Sequence, residues 1–119
     1  MIVEVELNLK ILFMIQPKIF LGGTCNGTTW RDELIPLLEE KGFPYFNPIV
    51  KDWTPECKKI EDNEKLYECG INIFVITSQM TGVYSIVEIM EQVYNACLEQ
   101  FPIKVIVGVI SEGFDQDDG

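Results

Sequence analysis

A short segment around residue 85 holds the acidic side chain best placed to do chemistry. Glu88 follows Ser85 by three residues, in the first turn of a helix that the apolar positions from Ile86 onward predict. An ionised carboxylate there could act as a nucleophile on a sugar carbon. The same Ser-x-x-Glu spacing is also that of a capping box, which only closes the start of a helix. The spacing leaves both interpretations open.

Three segments carry polar groups suited to a small ligand. The loop from Gly22 to Arg31 is glycine-rich, which allows backbone to approach a ligand, but it is neither a GxGxxG motif nor a P-loop. Residues 46–53 and 77–88 offer an amide, a tryptophan and hydroxyls. A turn, a helix cap, a surface arginine or ordinary tryptophan packing would explain the same residues without a ligand. The binding candidates are Gly22, Gly23, Thr24, Asn26, Arg31, Asn47, Trp53, Met80, Thr81 and Gly82.

Composition restricts the chemistry further. The 119 residues contain no histidine, which excludes Ser-His-Asp and Cys-His catalysis and histidine-ligated zinc. A formal net charge of −10 argues against a nucleic-acid polymer or an anionic membrane surface as partner. The four cysteines form no C-x-x-C pair, so we expect reduced thiols, a cytoplasmic location, no metal and no cofactor. Most of the acidic residues, Glu61 among them, read as solvated surface.

The order of the predicted strands and helices indicates the fold that positions these residues. From residue 17 onward, short apolar runs at 18–21, 45–46, 71–77 and 103–110 alternate with segments of helical spacing. This order is typical of an α/β fold with a parallel sheet, whose ligands bind outside the carboxyl ends of the strands. Residues 3–13 alternate between apolar and polar, so we predict an extra edge strand within an N-terminal extension, 1–16, before a single domain, 17–119.

Three segments together resemble one protein family. KIFLGGTCNGTTWRDELIPLL, YFNPIVKDW and FVITSQMTGVYSIVEI are similar, in order and spacing, to the nucleoside 2-deoxyribosyltransferase-like proteins. The resemblance covers roughly residues 17–110. It implies a flavodoxin-like or Rossmann-like three-layer sandwich with four to five mostly parallel strands. It also implies a cytoplasmic homodimer or higher homo-oligomer that acts on a nucleoside or nucleotide, with relatives of phage or bacterial origin.

The resemblance also implies catalytic roles. Glu88 matches the glutamate that attacks C1′ of the deoxyribose, and a nearby group, Asp52 first and Tyr84 second, would protonate the leaving base. Two acidic residues of established transferases are replaced here by Gly70 and Gly82. A non-catalytic nucleotide-binding module of the same fold is therefore the alternative, and a purely structural α/β subunit is a third. Arg31, the only arginine, would favour a phosphorylated substrate.

Overall fold

The structure is a computed structural model that describes residues 17–25, 27–81, 83–98 and 100–114. The predicted N-terminal extension and its edge strand lie outside these residues. The described chain alternates strands with helices, and one π-helical turn, Glu64–Glu68, follows the second helix. The strands are β1 (Ile19–Gly23), β2 (Tyr45–Phe46), β3 (Ile71–Ile76) and β4 (Lys104–Val109), and the helices are α1 (Trp30–Glu40), α2 (Pro55–Asn63) and α3 (Tyr84–Ala96).

The four strands form one parallel sheet in the order β2-β1-β3-β4. This order confirms the predicted flavodoxin-like or Rossmann-like arrangement. The chain moves from β1 outward to β2, then returns across β1 to β3. In such sheets the carboxyl ends of β1 and β3 diverge at this reversal and leave a crevice for a ligand.

Each face of the sheet carries its own apolar core. On one face α1 packs through Trp30 and Leu38 against Ile19 and Leu21 of β1. On the other face, Phe20 and Phe74 form a cluster with Cys69, against which Ile89 of α3 packs. Alternate residues of β1 thus serve opposite faces, as the twofold repeat of a strand requires. The result is the predicted three-layer sandwich.

Residues at the boundaries of the first two helices suit the end or the start of a helix. Helix α1 runs through Pro36 without interruption and ends before Gly42, whose positive φ of 75° suits the turn that follows a helix. Helix α2 starts after Thr54 with Pro55 at its first position, where a missing N–H is harmless. No helix among the described residues is long and apolar enough to cross a membrane.

The π-helical turn after α2 is held by two buried amides. The amide nitrogens of Asn72 and Gln92 each donate to the carbonyl oxygen of Lys65 at 3.3 Å, and Gln92 donates to Asn72 Oδ1 at 2.7 Å. Asn72 also reaches the carbonyl oxygen of Cys69. These amides satisfy backbone carbonyls in a buried position and tie the turn to both β3 and α3.

The structure decides between the two interpretations of Ser85 and Glu88. Helix α3 starts at Tyr84 with Val83 as its N-cap and no capping side chain, so Ser85 and Glu88 lie inside the helix and form no capping box. The burial of α3 also differs in part from its apolar pattern. Gln92 is buried because it bonds to the π-helical turn, whereas Met90 and Val93 are exposed.

The end of β1 leaves no room for a side chain at Gly23. Its φ is 101°, and a Cβ there would lie 2.2 Å from the carbonyl oxygen of Val75 in β3. We predict that Gly23→Ala lowers the free energy of unfolding by about 3 kcal/mol or more, from backbone strain and overlap together. Denaturant unfolding measures this.

Gly42→Ala is the matched control for Gly23→Ala. Gly42 also has a positive φ, but nothing lies within 4 Å of an added Cβ. This variant should lose only about 1 kcal/mol, from the conformation alone. Equal losses in the two variants would contradict the close approach of β1 and β3.

Candidate functional site

A cavity of about 470 Å³ opens at the carboxyl edge of the sheet, beside the ends of β1 and β3. This volume is within the range of small-molecule sites in proteins. Its walls come from the loops after β1, β2 and β3, from α2 and from the first turns of α3. The lining residues are Gly22, Gly23, Thr24, Cys25, Pro48, Ile49, Val50, Trp53, Glu61, Met80, Thr81, Tyr84, Ser85 and Glu88.

The loop after β1 is held in place by the only arginine of the chain. Arg31 is buried at 5% exposure and donates from Nε to the carbonyl oxygen of Leu21 at 3.0 Å and from Nη1 to that of Thr24 at 2.8 Å. Its Nη2 is 3.5 Å from the carbonyl oxygen of Gly23, and its guanidinium lies 4.2 Å from the Trp30 ring centroid. The fork geometry of arginine suits this cluster of carbonyls.

Arg31 therefore differs from both sequence-based expectations. It is not a surface residue, and its guanidinium does not line the cavity. Burial lowers the pKa of Arg31 from its usual value, while the neighbouring Cys25 and Asp32 act against this shift. Its position indicates a role in shaping the loop, and the proposed preference for a phosphorylated substrate loses its basis.

Thr24 joins the ends of the two central strands. Its backbone N–H donates to the carbonyl oxygen of Val75 at 2.9 Å, and its hydroxyl accepts from the backbone N–H of Thr77 at 3.0 Å. Its carbonyl oxygen also accepts from the Trp30 indole at 3.1 Å. The cavity wall at β1 is thus rigid, as a binding site requires if it is to hold a ligand in one orientation.

Glu88 lines the cavity from α3 and forms an ion pair with a buried lysine. Lys65 Nζ is 3.5 Å from Glu88 Oε2, with side-chain exposures of 8% for Lys65 and 22% for Glu88. Lys65 Nζ is also 3.5 Å from Asp62 Oδ1 and 5.7 Å from the Phe20 ring centroid. The positive charge of Lys65 balances the negative charge of the Glu88 carboxylate. Glu88 is thus an acidic side chain that faces the cavity and is held by a buried cation.

Sequence reasoning missed Glu61, a second carboxylate of the cavity. The side chain is half-buried and lines the cavity from α2, so the expectation of a solvated surface residue is wrong. Burial raises the pKa of Glu61, and the negative charge of Glu88 raises it further, while Lys65 and the Trp53 side chain act against the rise. The available signal was its helical spacing: Cys57, Glu61 and Lys65 repeat every four residues on the inward side.

The structure brings together most of the predicted site residues that it describes. Those that line the cavity are Gly22, Gly23, Thr24, Trp53, Met80, Thr81, Tyr84 and Glu88. Asn26 and Gly82 lie outside the described residues. Asn47 and Asp52 are adjacent in sequence to the lining residues Pro48 and Trp53, but they do not line the cavity themselves. Asn47 Oδ1 accepts from the backbone N–H of Ile49 at 3.2 Å and thereby shapes the turn, and Asp52 is exposed.

The described residues contain no group of three or more Cys, Asp or Glu side chains arranged to hold a metal ion. Cys69 is buried behind the site, and its thiol lies 3.3 Å from Glu64 Oε2, to which it donates. Burial, assisted by this hydrogen bond, raises the pKa of Cys69 to about 12. The thiol is therefore protonated and serves the packing of the core.

Comparison with known protein families identifies a match. The family model described as Nucleoside 2-deoxyribosyltransferase like matches residues 16–100, which is more than half of the chain. No curated protein matches significantly. No solved structure does so either.

The Lys65–Glu88 ion pair gives a prediction about stability. Lys65→Met leaves the partly buried Glu88 without its cation, so we expect the free energy of unfolding to fall by about 2 kcal/mol. In a double-mutant cycle with Glu88→Gln, the coupling energy should be about 1 kcal/mol. Lys58→Met, which removes an exposed pair with Asp62, should change stability by no more than about 0.5 kcal/mol. A coupling energy near zero would contradict the pair.

The raised pKa of Glu61 predicts how stability depends on pH. The native protein binds this proton more tightly than the unfolded chain does. Glu61 therefore has no effect on stability below its unfolded pKa. It destabilises the fold as pH rises from the unfolded pKa through the folded pKa. Glu61→Gln, which resembles the protonated acid, should raise the melting temperature at pH 7 but leave it almost unchanged near pH 4. A lower melting temperature at pH 7 than in the wild type would contradict the burial of this charge.

Proposed function

Because the chain belongs to the nucleoside 2-deoxyribosyltransferase-like family, we propose that it acts on the N-glycosidic bond of a deoxynucleoside. The 2-deoxyribosyl group would pass to a second base or to water. The observation that carries the proposal is Glu88, which lines the cavity, is free of the expected helix-capping role and is paired with a buried lysine.

Glu88 performs the first step of the proposed reaction. One carboxylate oxygen attacks C1′ of the sugar, the C1′–N bond breaks, and its electrons leave with the base. The ester between Glu88 and C1′ is then broken by water or by a second base. Two displacements at one carbon retain the configuration, as in retaining glycosidases. The Lys65 ammonium group, 3.5 Å from Glu88 Oε2, holds this carboxylate at the cavity and balances its charge when the sugar is released.

The cavity fits an uncharged nucleoside better than a nucleotide. Its described lining contains no lysine or arginine, while two carboxylates, Glu61 and Glu88, face into it. A phosphate group would add negative charge beside both, in a protein of net charge −10. Trp53, which lines the cavity and is 57% exposed, offers an aromatic face on which a base could stack.

The homo-oligomer implied by the family is part of this proposal. Helix α3 exposes apolar side chains next to the cavity, among them Tyr84, Val87, Met90 and Tyr94. A contiguous apolar patch on a folded domain is typical of a surface that another protein covers.

A substrate panel tests the proposed activity. Deoxynucleosides, their 5′-monophosphates and ribonucleosides are incubated with the protein, each with and without a different free base as acceptor, and released base is measured by chromatography. We expect base release from deoxynucleosides, with a loss of at least about 10³-fold in Glu88→Ala and Glu88→Gln because the nucleophile is gone. Glu40→Gln, which changes an exposed acid on α1 outside the cavity lining, is the control and should retain full activity.

Two outcomes of the panel would contradict the proposal. One is the absence of base release from every substrate. The other is tight binding of a nucleotide that survives Glu88→Gln, with the ligand recovered intact. The second outcome would favour the non-catalytic binding module of the same fold.

A further inference from the structure

The cavity contains a second carboxylate to which the proposed reaction has so far given no role. Glu61 enters from α2, whereas Glu88 enters from α3, so the two acids reach the same space from separate elements. Trp53, Met80 and Tyr84 line the cavity with them. A substrate held in this space would lie within the walls formed by both carboxylates.

The acids next to Glu61 in sequence are already occupied. Asp62 pairs with Lys58 at 3.0 Å and with Lys65 at 3.5 Å. Glu64 pairs with Lys18 at 2.9 Å. Among the described residues, Glu61 has no ion-pair partner within 4 Å. It is therefore the acid of this segment that faces the cavity without a salt bridge.

Charged groups from three elements act on Glu61. Asp62 and Lys65 belong to its own segment, Glu88 to α3, and Arg31 to α1. Burial is the largest influence and raises the pKa of Glu61, as do the carboxylates of Glu88 and Asp62, while Lys65 and the Trp53 side chain lower it. The side chain thus keeps its proton at a higher pH than an ordinary glutamate does.

The two carboxylates of the cavity have different surroundings. Glu88 lies 3.5 Å from the buried ammonium group of Lys65, which balances its charge. Glu61 is half-buried without an ion pair, and burial raises its pKa although Lys65 and the Trp53 side chain act against the rise. One acid beside a cation and a second acid without one are suited to divide the roles of nucleophile and proton donor.

We propose that Glu61 is the general acid that protonates the leaving base, a role for which the sequence favours Asp52 and then Tyr84. This inference rests on the proposed N-glycosidic chemistry. As Glu88 forms its bond to C1′ and the C1′–N bond breaks, the Glu61 carboxyl O–H gives its proton to a ring nitrogen or exocyclic oxygen of the base. The base leaves neutral and Glu61 is left as a carboxylate.

The second half of the reaction restores the proton. The Glu61 carboxylate accepts a proton from water or from the incoming base as that group attacks C1′. The C1′–O bond to Glu88 breaks, and Glu88 returns to its ionised form beside Lys65. Each proton and electron pair is accounted for without a further reactant.

A pair of substrates that differ in their need for an acid tests the assignment. In natural deoxynucleosides the departing base needs a proton. In a nitrophenyl 2-deoxyriboside the leaving group is nitrophenolate, which departs without protonation. We expect Glu61→Gln to reduce base release from the wild type's best deoxynucleoside by about 10²- to 10⁴-fold. The first burst of nitrophenolate from the aryl substrate should stay within a few-fold of the wild-type rate.

The wild-type protein supplies a second measurement that does not depend on the folding of a variant. Its rate on the natural deoxynucleoside should fall as pH rises and Glu61 loses its proton. The nitrophenolate burst should lack this decline at high pH. The same decline for both substrates would overturn the assignment.

Control variants separate the possible failures. Glu56→Gln, an exposed acid earlier on α2, should match the wild type on both substrates. Equal losses on both substrates in Glu61→Gln, or a selective loss in Asp52→Asn instead, would overturn the role of Glu61 alone. If the wild type releases neither base nor nitrophenolate, the proposed function itself fails, and the inference fails with it.

Discussion

The site depends on the buried ammonium group of Lys65, which must be neutralised where water has little access. Its Nζ lies 3.5 Å from both Glu88 and Asp62, and its backbone carbonyl accepts hydrogen bonds from the amides of Asn72 and Gln92. Removing Glu88 would leave the buried ammonium group with only the more exposed carboxylate of Asp62 as an ion-pair partner, which is unfavourable. The lysine therefore links the π-helical turn, β3 and α3, and it fixes Glu88 at the cavity.

The opposite wall of the cavity is held by a second buried cation. Arg31 uses its guanidinium to gather the carbonyl oxygens of Leu21, Gly23 and Thr24, so that the loop after β1 has one conformation. Both buried cations thus serve the protein's own groups and neither lines the cavity. With two carboxylates facing inward, the space is better suited to a neutral sugar and base than to a phosphate.

The sequence predicted the fold because parallel strands and amphipathic helices leave periodic patterns. The element order and the position of the cavity beside β1 and β3 both followed from such patterns. The burial of polar side chains does not follow from them, since it depends on partners distant in sequence. A surface position was one interpretation of Arg31 and the expectation for Glu61, yet both are at least partly buried by elements that the local pattern does not specify. The Ser85–Glu88 spacing left a capping box open, and the structure excludes it because α3 begins two residues earlier than such a box requires, with Val83 as its N-cap.

The most direct test of Glu88 as the nucleophile is to trap its bond to the sugar. A 2-deoxy-2-fluoroarabinosyl nucleoside slows the release of the sugar, because fluorine disfavours positive charge at C1′. Intact-mass spectrometry followed by peptide mapping should find one glycosyl group attached to Glu88 and a stoichiometric amount of free base. Base release without an adduct, or an adduct on another residue, would contradict the assignment of Glu88.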